Sequence, residues 1–249
     1  KYVTWTQREQ VGMGSYADVY FWNGEIVKNI TQTTNVSENY PNISGNNVVW
    51  LSYLGNSEEI FLWDGTTVQQ VSSNIEEIEN LNIFGDYITW SGRKNNSFVE
   101  NVFLWDRINK SIVQVTNNTF DFNISKISIS GKNLVWSGGT SSPESYQEIY
   151  TWQNGTIQQL TNNSQADMNP CISGSEIVWQ GYDGSDYEIF FWNGSKVIQL
   201  TNNSRDDKNP QIHGKSIFWQ GHDGQDYEIY YYDKYAIYQI TDNNYDDTF

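Results

Sequence analysis

The sequence predicts an all-β protein: a six-bladed β-propeller of four-stranded antiparallel blades. Three observations support this prediction: a repeat of about 41 residues, an aromatic content of 16% that includes 11 Trp and 17 Tyr, and many Asn-Gly and Asp-Gly dipeptides. Aromatic side chains favour strands, whereas Asn, Asp and Gly favour tight turns. Because the repeats continue along the whole chain, we expect residues 1–249 to form a single propeller domain of six repeats.

The repeat is clearest towards the C-terminus, where Asn162–Thr201 and Asn202–Thr241 align without a gap. One tryptophan stands at the same position of each repeat, 40 to 46 residues from the next. These tryptophans are Trp5, Trp50, Trp90, Trp136, Trp179 and Trp219. A period near 40 residues is typical of propeller blades, and we expect the tryptophans to pack in the core between neighbouring blades.

Four short strands are predicted in each repeat. In the last complete repeat they are strand A at Pro210–His213, strand B at Lys215–Gln220, strand C at Tyr227–Tyr232 and strand D at Ala236–Thr241. Dipeptides such as Asp223-Gly224, between strands B and C, tolerate positive φ and close hairpins whose twist matches the strands.

The ends of the chain fall at defined points of the repeat. Lys1–Trp5 aligns with Lys215–Trp219, so the chain opens at a strand B and the first blade lacks its inner strand, strand A. The last four residues align with Asp206–Asn209, which precede strand A of the last repeat. We therefore expect this chain to be a piece of a longer protein.

These residues resemble a known family. Leu200–Asn203, Asp207–Pro210, Gly214 and Asp226–Tyr230 are similar to the TolB-type six-bladed propeller repeat, and the resemblance extends over all six repeats. The family's Ser-Pro-Asp-Gly turn between strands A and B is absent, and pairs such as His213-Gly214 replace it. The Asn-rich repeat is more similar to propellers of archaeal and bacterial cell-surface proteins. The resemblance implies binding or scaffolding. Together with the acidic composition and the absence of catalytic motifs, the repeat type predicts a non-enzymatic extracellular binding or scaffold module of a cell-surface protein.

The charge balance disfavours two classes of partner. The chain carries 30 Asp and Glu against 14 Lys and Arg, a net charge of −16. Nucleic-acid binding needs Lys and Arg to displace counterions, so we predict no nucleic-acid partner. No apolar run approaches the roughly 20 residues of a membrane span, so we predict no direct membrane insertion. The single cysteine, Cys171, excludes a disulfide within the chain.

Acidic residues recur at two positions of the repeat. The first position, on strand C, carries Asp18, Glu59, Glu148, Glu188 and Glu228, with Asn101 in the third repeat. The second, just before strand A, carries Glu38, Asp167, Asp207 and Asp247, with Ile78 and Ile124 in the third and fourth repeats. Two interpretations are open: the carboxylates accept backbone N–H groups of their own loops, or they bind cations at the loop face.

Two similar loops are the sharpest candidates for a metal site. Each places three acids within six residues, at Asp183, Asp186 and Glu188 and at Asp223, Asp226 and Glu228. Ca²⁺ takes hard oxygen ligands, several of them carboxylates, which makes Ca²⁺ the candidate cofactor. The EF-hand pattern is not met. A calcium-stabilised adhesion module is therefore one alternative function.

The sequence contains no Gly-x-Ser-x-Gly or His-Glu-x-x-His motif and only four Arg, so we predict no catalytic residues. A polysaccharide hydrolase with paired carboxylates stays open as an alternative. Specific recognition is expected on the longer loops between strands B and C, Thr6–Ala17, Ser91–Asn101 and Ser137–Gln147, with a protein or glycan as the partner. The candidate ligand-binding residues are Arg8, Arg93, Tyr146, Asp167, Asp207 and Asp247.

Asn-x-Ser/Thr sequons are frequent, for example at Asn154, Asn193 and Asn202. A turn-rich composition accounts for them, and so does glycosylation of an exported surface protein.

Overall fold

The computed structural model describes residues 1–11, 14–55, 57–73, 75–94, 97, 99–120, 122–140 and 146–248. These residues form 23 β-strands in six antiparallel sheets. Within these ranges there is no helix long and apolar enough to cross a membrane. The chain divides into two compact units, residues 1–121 and 122–249, which are described separately.

The first unit contains three sheets, blades 1 to 3. Blade 1 consists of β1 (Val3–Val11), β2 (Gly14–Trp22) and β3 (Val27–Asn29). Blade 2 consists of β4 (Ser37–Ser44), β5 (Asn47–Leu54), β6 (Ser57–Trp63) and β7 (Val68–Gln70). Blade 3 consists of β8 (Ile75–Phe84), β9 (Tyr87–Lys94), β10 (Asn101–Asp106) and β11 (Ser111–Gln114).

The second unit contains blades 4 to 6. Blade 4 consists of β12 (Phe122–Ser130), β13 (Asn133–Thr140), β14 (Glu148–Gln153) and β15 (Thr156–Gln159). Blade 5 consists of β16 (Asp167–Ser173), β17 (Glu176–Tyr182), β18 (Tyr187–Trp192) and β19 (Val197–Gln199). Blade 6 consists of β20 (Asp207–His213), β21 (Ser216–His222), β22 (Tyr227–Tyr232) and β23 (Ile237–Gln239).

The predicted fold class is confirmed. Among the described residues, five sheets have four strands in simple antiparallel order, and blade 1 has three, which correspond to strands B, C and D. All four strands predicted in the last repeat are present, and strand C has the predicted bounds. Strand A begins at Asp207 rather than at Pro210, strand B covers Ser216–His222 rather than Lys215–Gln220, and strand D is shorter than predicted, at Ile237–Gln239. The segment Thr6–Ala17, which we expected to be an irregular loop, is mostly paired strand, because β1 and β2 stay in register from Val3↔Trp22 to Val11↔Gly14.

Five of the six recurring tryptophans lie in the core, as the repeat predicts, whereas Trp5 of blade 1 is only partly buried. In blades 2 to 6 each lies on strand B, is at most 1% exposed, and stacks on the aromatic residue opposite it on strand C, with interplanar angles of 12° to 17°. The packing joins neighbouring blades within a unit: Trp219 of blade 6 lies in one cluster with Val178 and Phe191 of blade 5. Aromatic burial is the largest apolar contribution that single residues make to such a core.

Strand A contains a β-bulge that the sequence analysis did not predict. In blade 6, Asp207 and Lys208 pair with Gly221 and Gln220, and the register then shifts before Gln211. The same irregularity occurs in strand A of blades 2 to 5. A bulge re-aims the side chains that precede it. It therefore places the acids at the start of strand A against the loop ends of the blade.

Candidate functional site

A hydrogen bond repeated in all six blades fixes the loop that follows strand D. A Ser or Thr hydroxyl at the start of that loop accepts the backbone N–H of the residue that follows the strand C acid, or Asn101 in blade 3, at 2.8 to 3.0 Å. The acceptors are Thr31, Ser72, Thr116, Thr161, Thr201 and Thr241. This contact explains why a Ser or Thr follows an aliphatic residue at this position of every repeat, as in Leu160-Thr161 and Leu200-Thr201.

The strand C acids of blades 4 to 6 brace the same loop. Oε1 of Glu148, Glu188 and Glu228 accepts a backbone N–H of the following loop at 2.6 to 2.8 Å. Asp18 and Asn101 make the equivalent contact in blades 1 and 3. These hydrogen bonds are the ones expected if the recurring acids hold their own loops.

Asp167 and Asp207, predicted as ligand residues, are 4% exposed and engaged on both oxygens. Oδ1 of each accepts the indole N–H of the blade's tryptophan at 2.8 Å, and Oδ2 accepts an Asn side-chain amide at 2.7 Å. Burial raises the pKa of both carboxyls. Asp247 makes the same Asn contact and is half-buried. The geometry of Asp167 and Asp207 is that of internal braces.

The other predicted ligand residues lie on separate elements. Arg8 is exposed on β1, where it pairs with Ala17 in the ladder. Arg93 lies on β9 and forms an ion pair with Glu77 at 2.6 Å. Tyr146 precedes β14 and is 47% exposed. The rest of the loop that contains Tyr146, residues 141–145, lies outside the described residues.

A cavity of about 530 Å³ is lined by strand residues of blades 2 and 3. Its lining residues are Tyr40, Leu51, Tyr53, Glu58, Glu77, Ile78, Glu79, Asn80 and Leu81. Tyr40 is 69% exposed. Glu58 accepts the backbone N–H of Ile78 at 3.1 Å, and burial together with Glu58 raises the pKa of Tyr53. The cavity thus combines aromatic faces with three carboxylates. One of these carboxylates, that of Glu77, forms the ion pair with Arg93.

No motif in the sequence marks this cavity as a site. Its glutamates differ from the recurring acids: Glu58 precedes the strand C acid Glu59, and Glu77 and Glu79 flank Ile78. One feature of the sequence could have indicated the cavity: these three glutamates, in two successive blades, lie outside the two recurring acidic positions of the repeat. Their convergence depends on the packing of β6 against β8, which the sequence alone does not show.

The two predicted metal loops are well formed in the second unit. In each, the two aspartates lie in the turn between strands B and C and the glutamate lies on strand C. One carboxyl oxygen from each of Asp183, Asp186 and Glu188 lies within 4.8 Å of the others, and the same holds for Asp223, Asp226 and Glu228.

The carboxylates of these loops repel one another. Burial raises the pKa of Asp186, and the negative charges of Asp183 and Asp206 raise it further. Burial also raises the pKa of Asp226, with added repulsion from Glu228 and Asp223. Desolvation and like charges both disfavour the ionised form. The loops therefore hold negative charge at a cost that a bound cation would offset.

The fold and these loops define the class of the protein, a six-bladed β-propeller with acidic loop ends. No family model matches the chain. A search of curated proteins also finds no match. Solved structures do match. The β-propeller domain of the Trilobed protease from Pyrococcus furiosus, which has an open velcro topology, superimposes with a TM-score of 0.66 at 13% identity, over 97% of this chain and 80% of that one.

Two further structures place the fold among known propellers. Acylaminoacyl peptidase from Pyrococcus horikoshii matches with a TM-score of 0.63 at 16% identity, over 97% of this chain and 44% of the peptidase. TolB from Acinetobacter baumannii matches with a TM-score of 0.51 at 16% identity, over 87% of this chain and 56% of TolB. The chain therefore shares its fold with TolB and with the propeller domains of peptidases, as the repeat predicts. At these identities the likeness concerns the fold alone.

Proposed function

We propose that this chain is a non-enzymatic binding or scaffold module of a cell-surface protein, and that it binds its partner in the cavity between blades 2 and 3. The observation that supports this function is the lining of that cavity. It exposes tyrosine faces beside the carboxylates of Glu58, Glu77 and Glu79. Such a combination of apolar surface and a few placed polar groups is typical of recognition sites.

Among protein and glycan partners, the charges favour a protein segment that carries Lys or Arg. The residues that line the cavity, all in the described part of the chain, include three glutamates and no lysine or arginine. Tyrosine faces attract Lys and Arg cations, with most effect when the cation is desolvated. The net charge of −16 steers a basic partner to the chain.

Binding measurements on the 249-residue chain test this function. We expect synthetic peptides that contain Lys or Arg pairs to bind, with an affinity that falls as the salt concentration rises. A glycan array, assayed in parallel, tests the glycan alternative. The double variant Tyr40→Ala, Glu79→Gln should weaken peptide binding at least tenfold.

The matched control is Tyr235→Ala, Glu25→Gln. It removes one exposed tyrosine and one exposed glutamate that do not line the cavity. Equal binding by the two double variants would contradict the proposed site. Binding of glycans but not of basic peptides would assign the site to a glycan partner.

Hydrolysis of a polysaccharide is the alternative function, because a glycosidase needs a pair of carboxylates and the same cavity contains three glutamates. Release of reducing ends from a polysaccharide, abolished by Glu58→Gln or Glu79→Gln, would support the hydrolase and contradict a binding module.

A further inference from the structure

We propose that the turns between strands B and C in blades 5 and 6 are two calcium sites. The blade 5 site consists of Asp183, Asp186 and Glu188, and the blade 6 site consists of Asp223, Asp226 and Glu228. The proposal does not depend on the partner of the cavity in the first unit.

The separations of the carboxyl oxygens fit one ion in each loop. Ca²⁺ binds oxygen ligands at about 2.3 to 2.6 Å, so ligands on opposite sides of the ion lie about 5 Å apart. In each loop the three oxygens lie within 4.8 Å of one another. The three oxygens of each loop are therefore close enough together to share one ion after small side-chain movements.

Buried oxygens without hydrogen bonds provide an independent observation. Asp186 is 8% exposed, and neither of its carboxyl oxygens accepts a hydrogen bond from any residue that the structure describes. Asp226 is 9% exposed, and its Oδ1 is in the same situation. Buried polar atoms almost always have partners, because an unpaired carboxylate loses its hydration. A cation bound between the acids would provide the missing partner.

Blade 4 shows which part of this pattern is specific to the two loops. Oε2 of Glu148 is buried without a hydrogen bond within the described residues, as are the corresponding atoms of Glu188 and Glu228. The unpaired glutamate oxygen is therefore common to three blades. In blade 4, however, Tyr146 stands where blades 5 and 6 have Asp186 and Asp226. The buried aspartate distinguishes the two calcium loops from the other blades.

The ligand set favours Ca²⁺ over other cations. All three ligands are carboxylates, whereas Zn²⁺ sites in proteins are built mainly from Cys and His. Mg²⁺ requires a smaller, nearly octahedral shell and retains several waters. Three carboxylates within six residues of the chain suit the larger and more adaptable shell of Ca²⁺.

The two sites differ in the nearest positive charge. The guanidinium of Arg205 packs on Gly224, where a Cβ would stand 2.9 Å from Nη2, and so lies beside the ligand Asp223. In blade 5 the nearby cation, Lys208, is bonded to Asp206, which is not one of the three ligands. Because a neighbouring positive charge opposes cation binding, we expect the blade 5 site to be the tighter one.

Calorimetric titration of the metal-free chain with Ca²⁺ tests the proposal directly. We expect two ions per chain, with dissociation constants of about 10⁻⁴ to 10⁻³ M, the range of extracellular calcium modules. Asp186→Asn should abolish one site, Asp226→Asn the other, and the double variant both. Arg205→Gln should tighten the blade 6 site severalfold. Terbium luminescence, excited through the aromatic side chains, provides a second readout of the same sites.

Thermal unfolding separates a metal site from a loop brace. With saturating Ca²⁺ the wild-type melting temperature should rise by about 5 °C over its value in EDTA, because the ion binds only the folded chain. In EDTA the Asn variants should melt at or above the wild-type temperature, because each removes a buried repelling charge.

The matched control is Asp233→Asn. Asp233 holds a hairpin turn of blade 6 by accepting the N–H groups of Tyr235 and Ala236. The control variant should keep both sites. Absence of Ca²⁺ binding at millimolar concentration, or binding that persists in the Asp186→Asn, Asp226→Asn double variant, would overturn the proposal.

Discussion

All of blades 3 to 6 bury the equivalent strand B tryptophan, but its polar surroundings in blades 3 and 4 differ from those in blades 5 and 6. In blades 5 and 6 the indole N–H donates to Asp167 or Asp207. In blades 3 and 4 an isoleucine occupies the aspartate's position, and the indole nitrogens of Trp90 and Trp136 have no acceptor among the described residues. The aromatic stack is present in all four blades. The blade thus needs the buried ring, whereas the acceptor for its N–H varies.

Blade 2 provides a third arrangement. The hydroxyl of Ser52, two residues after Trp50 on the same strand, accepts the indole N–H at 3.0 Å. Glu38, at the position of Asp207, accepts the hydroxyl of Thr33 instead. Burial raises the pKa of Glu38 to about 7, with a further contribution from Asp18. Glu38, which does not accept the indole N–H of Trp50, therefore has a pKa close to neutral pH.

The largest expected effect comes from closing the space beside the tryptophan–aspartate pair. A Cβ at Gly221 would lie 2.4 Å from Oδ1 of Asp207 and 2.7 Å from the ring of Tyr230. Both neighbours are fixed by Trp219, so neither can move without breaking its contact. We expect Gly221→Ala to lower the free energy of unfolding by about 3 kcal/mol, measured by urea denaturation.

The control for this substitution is Gly214→Ala. Gly214 has φ +60° and open space around it, so only backbone strain is expected, about 1 kcal/mol. If the two variants lose the same stability, the close approach at Gly221 is not a constraint.

The sequence predicted the strands well because each blade carries its own local signals. Asn-Gly and Asp-Gly close the hairpins, and the tryptophan aligns strand B of every repeat. The Trp179–Asp167 pair was not predicted, because its partners are 12 residues apart and meet only through the bulge in strand A. The sequence predicts that strand A starts at Pro210. In the structure Asn209, with a positive φ, lies in the bulge, and strand A pairs on both sides of it from Asp207 onwards.

The two candidate sites also differ in whether their residues are close together in the sequence. The acids of the two candidate calcium sites were predicted as groups because each set lies within six residues of the chain, so a local pattern suffices to bring them together. The cavity of the first unit was missed because its tyrosines and glutamates come from different strands of two blades. Only the packing between blades brings these residues together, and no single repeat contains that information.

The second prediction concerns the blade 2 arrangement and pH. The pKa of Glu38 is raised from 4.5 to about 7 in the folded chain. As pH rises, the Glu38 carboxyl therefore ionises at a lower pH in the unfolded chain than in the folded chain. Its burial therefore costs nothing below pH 4.5, lowers stability progressively between pH 4.5 and 7, and costs the full amount above pH 7. Glu38→Gln removes this cost. At pH 8 we expect the variant to be more stable than wild type by roughly 2 to 3 kcal/mol.

The comparison is made at each pH, because other carboxyls titrate equally in both proteins. Near pH 4 the stability difference should vanish. A difference that is independent of pH would show that Glu38 is ionised in the folded chain and that another contact of the residue is responsible.

The smallest expected effect is the most direct test of the blade comparison. Trp179→Phe and Trp136→Phe remove the same ring volume from equivalent, fully buried positions. In blade 5 the substitution also leaves Oδ1 of the buried Asp167 without its indole donor, whereas in blade 4 it removes an indole N–H that has no acceptor among the described residues. Losing a buried partner costs more than removing an unpaired group. We expect Trp179→Phe to cost about 1 kcal/mol more than Trp136→Phe, measured by urea denaturation at constant pH. Equal costs would mean that the aspartate contributes no stability through the tryptophan, and that its place in blades 5 and 6 is explained by its contact with the Asn-rich loop.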